Sequence, residues 1–289
     1  MSNKSKSDLE APADPGPENE REIQERAIKL ALSQIKHKIL VMSGKGGVGK
    51  STVAANLAYG LSRRDFKVGI MDVDLHGPDI PKMLGLDLEM VEAGDRFIFP
   101  LKFSDNLKVV SIASMIQSED TPLIWRGPLK IGVIRQFIGN TKWGELDYLV
   151  IDSPPGTGDE PLTVAQTVPE ATALIVTTPQ EISLLDVRKS INFCHEVKMP
   201  ILGIVENMSG FICPHCGKES LIFGKGGGEK IAEKSDIPLL ASIPIEKNVM
   251  SSSEAGIVFL DSGKKETKAF EAFEKLVDQV IERTDKITN

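Results

Sequence analysis

Cysteine is scarce in this chain: among 289 residues there are three, Cys194, Cys213 and Cys216. So few cannot build the disulfide framework of a small secreted domain, so a close pair points to metal or redox chemistry in a reducing compartment. Long apolar runs are missing as well, and no stretch approaches the roughly 18 residues that a membrane helix needs. The opening "MSNKSKSDLEAPADPGPENERE" has neither the apolar segment of a secretory signal nor the Arg-rich amphipathic character of a transit peptide. A cytoplasmic protein is expected. Positive charge is not in excess: 34 Lys and Arg against 41 Asp and Glu give a formal net charge of −7. That balance disfavours broad binding to nucleic acid or to an anionic membrane, so neither is expected as a partner.

What the chain does have is material for a large core, with 41% hydrophobic and 26% charged residues. Short β-branched apolar runs recur along it: "KILVMS", "KVGIMDVD", "LKVVSIA", "YLVIDSP", "ATALIVTTP", "ILGIVENM" and "LLASIP". Most are separated by stretches long enough for a helix. That alternation predicts an α/β fold, a doubly wound and mostly parallel sheet with helices on both faces. Residues 1–20, rich in Pro, Ser and charge, are expected to form a disordered tail. Residues 21–289 are expected to form one domain, entered through a helix from Arg21 to Lys36 in which Ile23, Ala27, Leu30, Ala31 and Ile35 recur at helical spacing. From Lys264 to Arg283 a second stripe carries Phe270, Phe273, Leu276, Val277, Val280 and Ile281. Its other face mixes Glu271, Glu274, Lys275, Asp278 and Glu282, which suits packing on the domain rather than lying on a membrane.

After the first strand comes Gly44-Lys45-Gly46-Gly47-Val48-Gly49-Lys50-Ser51, which satisfies G-x-x-x-x-G-K-[ST]. Its glycines let the backbone wrap so that successive N–H groups face phosphate oxygens. Lys50 is placed for the β- and γ-phosphates, and the Ser51 hydroxyl for Mg²⁺. A helix carrying Thr52, Val53, Leu57 and Leu61 follows and adds its positive dipole end. The nucleotide is therefore expected against Gly44 to Thr52. At the end of the second strand, Asp72 and Asp74 lie two residues apart and so point to the same side, at the carboxyl edge where open α/β sheets bind ligands. Asp152 follows four apolar residues in "YLVIDSPPGTGDE", the Walker B arrangement in which a carboxylate meets Mg²⁺ directly or through water. Asp159 and Glu160 read as first-turn acids of the next helix.

Cys213 and Cys216 form a C-x-x-C pair followed by Gly217. A tetrahedral thiolate site takes four ligands, and no second pair exists. The local pattern is a loop, unlike the helix start of a thioredoxin-type dithiol. Zinc and a redox dithiol remain alternative uses of the pair. His215 between them reads as a solvated loop residue, Cys194 as buried core, and His37 and His195 as surface or helix-end side chains. His76 lies beside Asp74.

The second lysine of the loop, Lys45, is not required by the general motif. With it the loop resembles the deviant Walker A family, K-G-G-x-G-K-[ST], to which the MinD/ParA-type and nitrogenase-iron-protein-like ATPases belong. The resemblance implies a homodimer in which Lys45 reaches the partner's nucleotide, offsetting charge in γ-phosphoryl transfer as an arginine finger does. It also implies that Asp74 is the switch I aspartate acting on the attacking water and that Asp72 supports the Mg²⁺ shell. Pro154, Pro155, Gly156 and Gly158 would belong to switch II, and Asn207 would hold the adenine base. "VENMSGFICPHCGK" followed by "IFGKGGGEKIA" is similar, further, to the Mrp/ApbC-type iron–sulfur cluster carriers. A [4Fe-4S] cluster bridged between two protomers by Cys213 and Cys216 from each is then implied, and the two-fold axis completes the four ligands. Apo iron–sulfur proteins would be the recipients, and a cluster or sulfide donor the source. Rival readings are a MinD/ParA-type positioning ATPase and a dimeric ATP-binding protein with structural zinc.

Overall fold

In the computed structural model the described residues are 20–74, 77–86, 92–93, 97–111, 127–213 and 215–288. The expected tail, apart from Glu20, and His76 lie outside them. The chain runs α1 (Glu20–Ser33), β1 (Ile35–Met42), α2 (Lys50–Ser62), β2 (Val68–Asp72), α3 (Ile80–Met83), β3 (Glu92–Ala93), β4 (Ile98–Phe99), β5 (Leu101–Lys102), β6 (Leu107–Ser111) and α4 (Gly127–Asn140). It continues through β7 (Leu146–Asp152), α5 (Asp159–Thr167), β8 (Thr172–Thr177), α6 (Glu181–Glu196), β9 (Ile201–Ile212), β10 (Glu219–Ser220), α7 (Gly227–Ser235), β11 (Leu239–Ile245) and α8 (Lys247–Glu254). A 3₁₀ turn (Phe259–Asp261) and α9 (Lys268–Thr288) complete it.

The main sheet has the order β10-β9-β8-β1-β7-β2-β6-β5, and β11 also pairs with β9. Every pairing among β11, β9, β8, β1, β7, β2 and β6 is parallel, while β10 and β5 add antiparallel ends. The doubly wound architecture expected from the apolar runs is the one found. Its cause is visible in β1. Ile39 and Val41 enter one core with Leu57 of α2 and Phe273, Leu276, Val277 and Val280 of α9. Leu40 and Met42 enter the other with Ile28 of α1, Phe137 of α4 and Val187 of α6. Both faces are dry, so the strand reads as a continuous apolar run. No helix among the described residues is long and apolar enough to cross a membrane.

Two local expectations change. The entering helix stops at Ser33 rather than Lys36, because Ile35 is already paired with Leu146 in the β1–β7 ladder. His37 is buried rather than on the surface, its ring stacked on Tyr148 with centroids 4.9 Å apart. That burial, aided by the Lys36 charge, lowers the pKa of His37. His195 is exposed near the end of α6, as expected. The last helix buries its stripe as the periodicity requires: Phe273, Leu276, Val277 and Val280 are all 0% exposed. It meets α2 at close range, since a Cβ on Gly60 would lie 2.5 Å from Val277 Cγ2.

Truncating Phe273 to Ala in α9 is expected to cost about 3–5 kcal/mol, as for other buried aromatic side chains. The shift of the urea unfolding midpoint measures it, and an unchanged midpoint would mean that α9 does not hold this core.

Candidate functional site

Parallel register builds the site. Asp152 at the end of β7 sits opposite Val41 of β1 and Asp72 of β2, and Asp72 sits opposite Ser111 of β6. One row at the carboxyl edge therefore holds two acids on neighbouring strands about 4.8 Å apart, at the edge where open α/β sheets take ligands. Both carboxylates are 0% exposed. Asp72 Oδ1 accepts the N–H of Asp74 at 3.1 Å; Oδ2 accepts the N–H of Ile80 and the Ser111 hydroxyl, each at 3.2 Å. It thus pins the segment from Asp74 to the start of α3. β2 ends at Asp72, so Asp74 is not on the strand as the two-residue alternation suggested. The chain beyond the strand carries it, and its Oδ1 accepts the N–H of Gly77 at 3.3 Å. Burial first, then the charge of Asp152, pushes the Asp72 carboxyl well above the usual carboxylate range. Burial also raises Asp152, against the opposing pull of Lys50.

The phosphate loop lies across this edge. Gly47 and Gly49 adopt φ of +77° and +80°, the left-handed region that glycine enters without strain. Gly49 has no room for a side chain either, since a Cβ there would lie 2.2 Å from Asn207 Nδ2. On the other side, a Cβ on Gly44 would lie 2.4 Å from the Asp186 carbonyl oxygen of α6. The loop is wedged between α6 and β9. Lys50, at the start of α2, extends its Nζ to 2.6 Å from Asp152 Oδ1 and 3.4 Å from Ser51 Oγ. The second oxygen, Asp152 Oδ2, is buried and has no hydrogen-bond partner among the described residues. An orphaned, buried carboxylate oxygen near a hydroxyl is a hard-oxygen donor set. Ser51 and Asp152 fit Mg²⁺ and are the residues that would hold it.

The remaining expected residues gather around the loop. Lys45 is half-buried, with its Nζ 3.4 Å from Gln180 Oε1 just past β8. The Ser43 hydroxyl donates to the Lys45 carbonyl at 2.9 Å, and the Ser43 carbonyl accepts the N–H of Gly156 at 2.8 Å. The Pro155–Gly156 segment therefore rests on the base of the phosphate loop. Asn207 donates from Nδ2 to the Val48 carbonyl at 2.9 Å. It belongs to the body of β9, with Ile243 of β11 as its partner in register. Asp159 and Glu160 open α5, as expected, and Glu160 pairs with Lys130 at 2.8 Å. Sequence reading passed over Gln180 and Ser43. Their one signal was position: each follows an apolar strand run at the same edge.

The cysteine pair lies in the turn of a hairpin. β9 and β10 pair antiparallel, Ile212 with Glu219 and Phe211 with Ser220. The turn is closed by the Cys213 N–H on the Lys218 carbonyl at 3.0 Å and the Gly217 N–H on the Cys213 carbonyl at 2.9 Å. Cys213 is half-buried and Cys216 exposed, both as free thiols. Backbone N–H groups of His215 and Cys216, helped by the Cys216 thiol, lower the pKa of Cys213. Among the described residues no set of three or more His, Cys, Asp or Glu is arranged to hold a metal ion. His215 is exposed. Cys194 is core: it is 0% exposed, its Sγ lies 3.6 Å from Met42 Sδ, and burial pushes its pKa to about 12.

Comparison with known proteins places this arrangement. Residues 34–281 match the family described as NUBPL iron-transfer P-loop NTPase. The iron–sulfur cluster carrier protein of Methanocaldococcus jannaschii is 49% identical over 91% of this chain and 90% of its own length. The cytosolic Fe-S cluster assembly factor NUBP2 homolog of Dictyostelium discoideum is 49% identical over 78% of this chain and 87% of its own. Among solved structures, the nucleotide-binding protein of Archaeoglobus fulgidus in complex with ADP shares 42% identity and a TM-score of 0.74, over 86% of this chain and 96% of that one. The Pyrococcus furiosus cell division ATPase MinD shares 25% identity and a TM-score of 0.62, over 85% and 98%. With its MinD/ParA-like fold and relatives nearly half identical over most of its length, the chain belongs to the NUBPL iron-transfer P-loop NTPase family.

Proposed function

We propose that this protein is an ATP-hydrolysing carrier that holds a labile iron–sulfur cluster across a homodimer in the cytoplasm and passes it to apo-proteins. The observation that carries the reading is the hairpin: two free thiols in one tight turn, without a third ligand among the described residues. Relatives whose names denote cluster carriage and assembly support it. Two such turns brought together on a two-fold axis supply the four thiolates of a [4Fe-4S] cargo. Residues 21–289 act as one ATPase unit, with the cluster loop at 213–216 embedded in it.

The N–H groups from Gly44 to Thr52 cradle the triphosphate, and Lys50 moves from Asp152 to the β- and γ-phosphates. Ser51 and Asp152 would hold Mg²⁺, which would supply positive charge to the phosphate oxygens. Asp72 acts on this site by fixing the backbone at Asp74, whose carboxylate orients the attacking water. Lys45 leaves its long contact with Gln180 and meets the partner's γ-phosphate, where its charge counts only as the transition state forms. Asn207 keeps one amide hydrogen and its carbonyl oxygen beyond the bond to Val48, enough to take the adenine edge. A lowered Cys213 pKa favours the thiolate, the form that binds iron.

Three outcomes are expected. After anaerobic reconstitution with iron and sulfide, Cys213→Ser and Cys216→Ser retain almost no cluster, read from metal content and the visible spectrum. Stoichiometric zinc and no iron in anaerobically purified wild-type protein would overturn the cargo assignment. Lys45→Ala lowers kcat for ATP hydrolysis on the order of 10³-fold, the lower range for a transferred cationic finger, while binding a nucleotide analogue as before. Equal loss of binding and turnover would place Lys45 in the ground state instead. Finally, the pH profile of Cys213 alkylation, followed by mass spectrometry in the apo protein, has its midpoint below the ordinary value, that of the same thiol in the urea-unfolded chain. The native pKa is depressed, so thiolate persists to lower pH; a midpoint at or above the ordinary value contradicts this.

A further inference from the structure

The run "ILGIVENM" holds a charged residue where a covered strand calls for apolar ones. Glu206 is 0% exposed, in the middle of β9, and pairs in register with Thr177 at the end of β8. Its carboxylate takes three donors. Oε1 accepts from the Ser209 hydroxyl at 2.5 Å and from the Gly226 N–H at 3.0 Å; Oε2 accepts from the Gly228 N–H at 2.5 Å. A buried charge-assisted set of this kind fixes geometry more tightly than neutral bonds do. It ties together two segments that share no ladder: the strand itself and the glycine-rich turn that opens α7.

Both segments lead to the phosphate loop on one side and to the cysteine hairpin on the other. Towards the nucleotide, the next residue is Asn207, bonded to Val48 of the phosphate loop. The glycine turn reaches the same loop by a second route. A Cβ on Gly227 would lie 2.4 Å from the Pro179 carbonyl, and Pro179 precedes Gln180, the partner of Lys45. Towards the cysteines, β9 is bent by a register shift between its pairings with Ile243 and Ile245. The bend contains Met208 at φ +58° and Gly210 at φ +76°, with Ser209 between them. Three residues beyond Gly210 is Cys213. The far strand of the hairpin returns to the same turn, where Lys225 pairs with Glu219 at 2.8 Å. Glu206 thus clamps the bend before the hairpin to the turn after it, one residue from a side chain that touches the phosphate loop.

We propose that Glu206 is the positioning residue that couples the phosphate loop to the cysteine hairpin, so that nucleotide binding alters how firmly the hairpin is held. The coupling rests on the nucleotide-binding reading above but not on the identity of the cargo. Hydrogen exchange tests it in the full-length protein without cluster, with Mg-ADP as the probe. In wild type, nucleotide protects residues 44–52 and slows exchange across 215–230 about fivefold, the lower end of a typical coupling between two sites. Glu206→Gln keeps an isosteric side chain but replaces one acceptor oxygen with a donor. In that variant the protection of 44–52 persists and the response of 215–230 disappears. Glu206→Asp keeps the charge and restores part of the response; Ser209→Ala, losing one of three bonds, gives an intermediate one. These two milder variants carry the test should Glu206→Gln fail to fold. A hairpin response in Glu206→Gln or Ser209→Ala equal to that of wild type overturns the proposal. So does a wild-type hairpin that ignores nucleotide while 44–52 is protected. No protection of 44–52 in wild type defeats the nucleotide reading itself, a result distinct from failure of the coupling.

Discussion

The ammonium of Lys50 lies 2.6 Å from a carboxylate oxygen of Asp152, with both groups withdrawn from water. Such a pair is poor evidence for stability, because well-packed apolar residues would often serve as well, while removing one partner strands a buried charge at about 3–5 kcal/mol. Its setting sharpens the point. One strand over, Asp72 adds a second buried acid, so the row at the carboxyl edge carries two carboxylates against one lysine. Burial raises both acids, the charge of Asp152 raises Asp72 further, and Lys50 pulls the other way on each. The second oxygen of Asp152, without a hydrogen-bond partner among the described residues, belongs to the same row. Under the proposed function, a cation held by Ser51 and Asp152 would take up that oxygen.

The rest of the molecule is arranged to keep that row in register. α2 and α9 press on one face of the sheet, and α1, α4 and α6 on the other. Within this casing specific bonds among the described residues join the loops at the carboxyl edge: Asp72 to the segment before α3, Ser43 to Gly156, Asn207 to Val48. A packed core moves as a unit, whereas a loop held by two or three hydrogen bonds shifts at modest cost. β9 belongs to both regimes. Its first half lies in the sheet between β8 and β11, and its second half, still paired with β11 at Phe211, forms the hairpin arm that leads to Cys213.

How much of this was legible beforehand depended on how local the deciding physics was. The phosphate loop, the strand-end position of Asp152, the stripe of α9 and the loop character of the cysteine turn are written in consecutive residues. Each was read correctly for that reason. The entering helix was misjudged at its end because Ile35 fits a helical stripe as well as a strand, and the ladder to Leu146 settles the choice. His37 reads as a polar residue near a helix end; only the arrival of Tyr148 from β7 buries it. Asp72 and Asp74 obey strand alternation on paper, but β2 stops between them.

By itself, then, the sequence determined the doubly wound alternation of strands and helices and the position of each motif, since both follow from short-range patterns of apolarity, glycine and charge. Tertiary structure alone decided which motifs touch. Lys45 meets Gln180 across 135 positions, Asn207 meets Val48 across 159, and Glu206 meets a glycine turn more than one helix length away. Those contacts arise from strand register at one sheet edge, a long-range property that no local pattern of residues encodes.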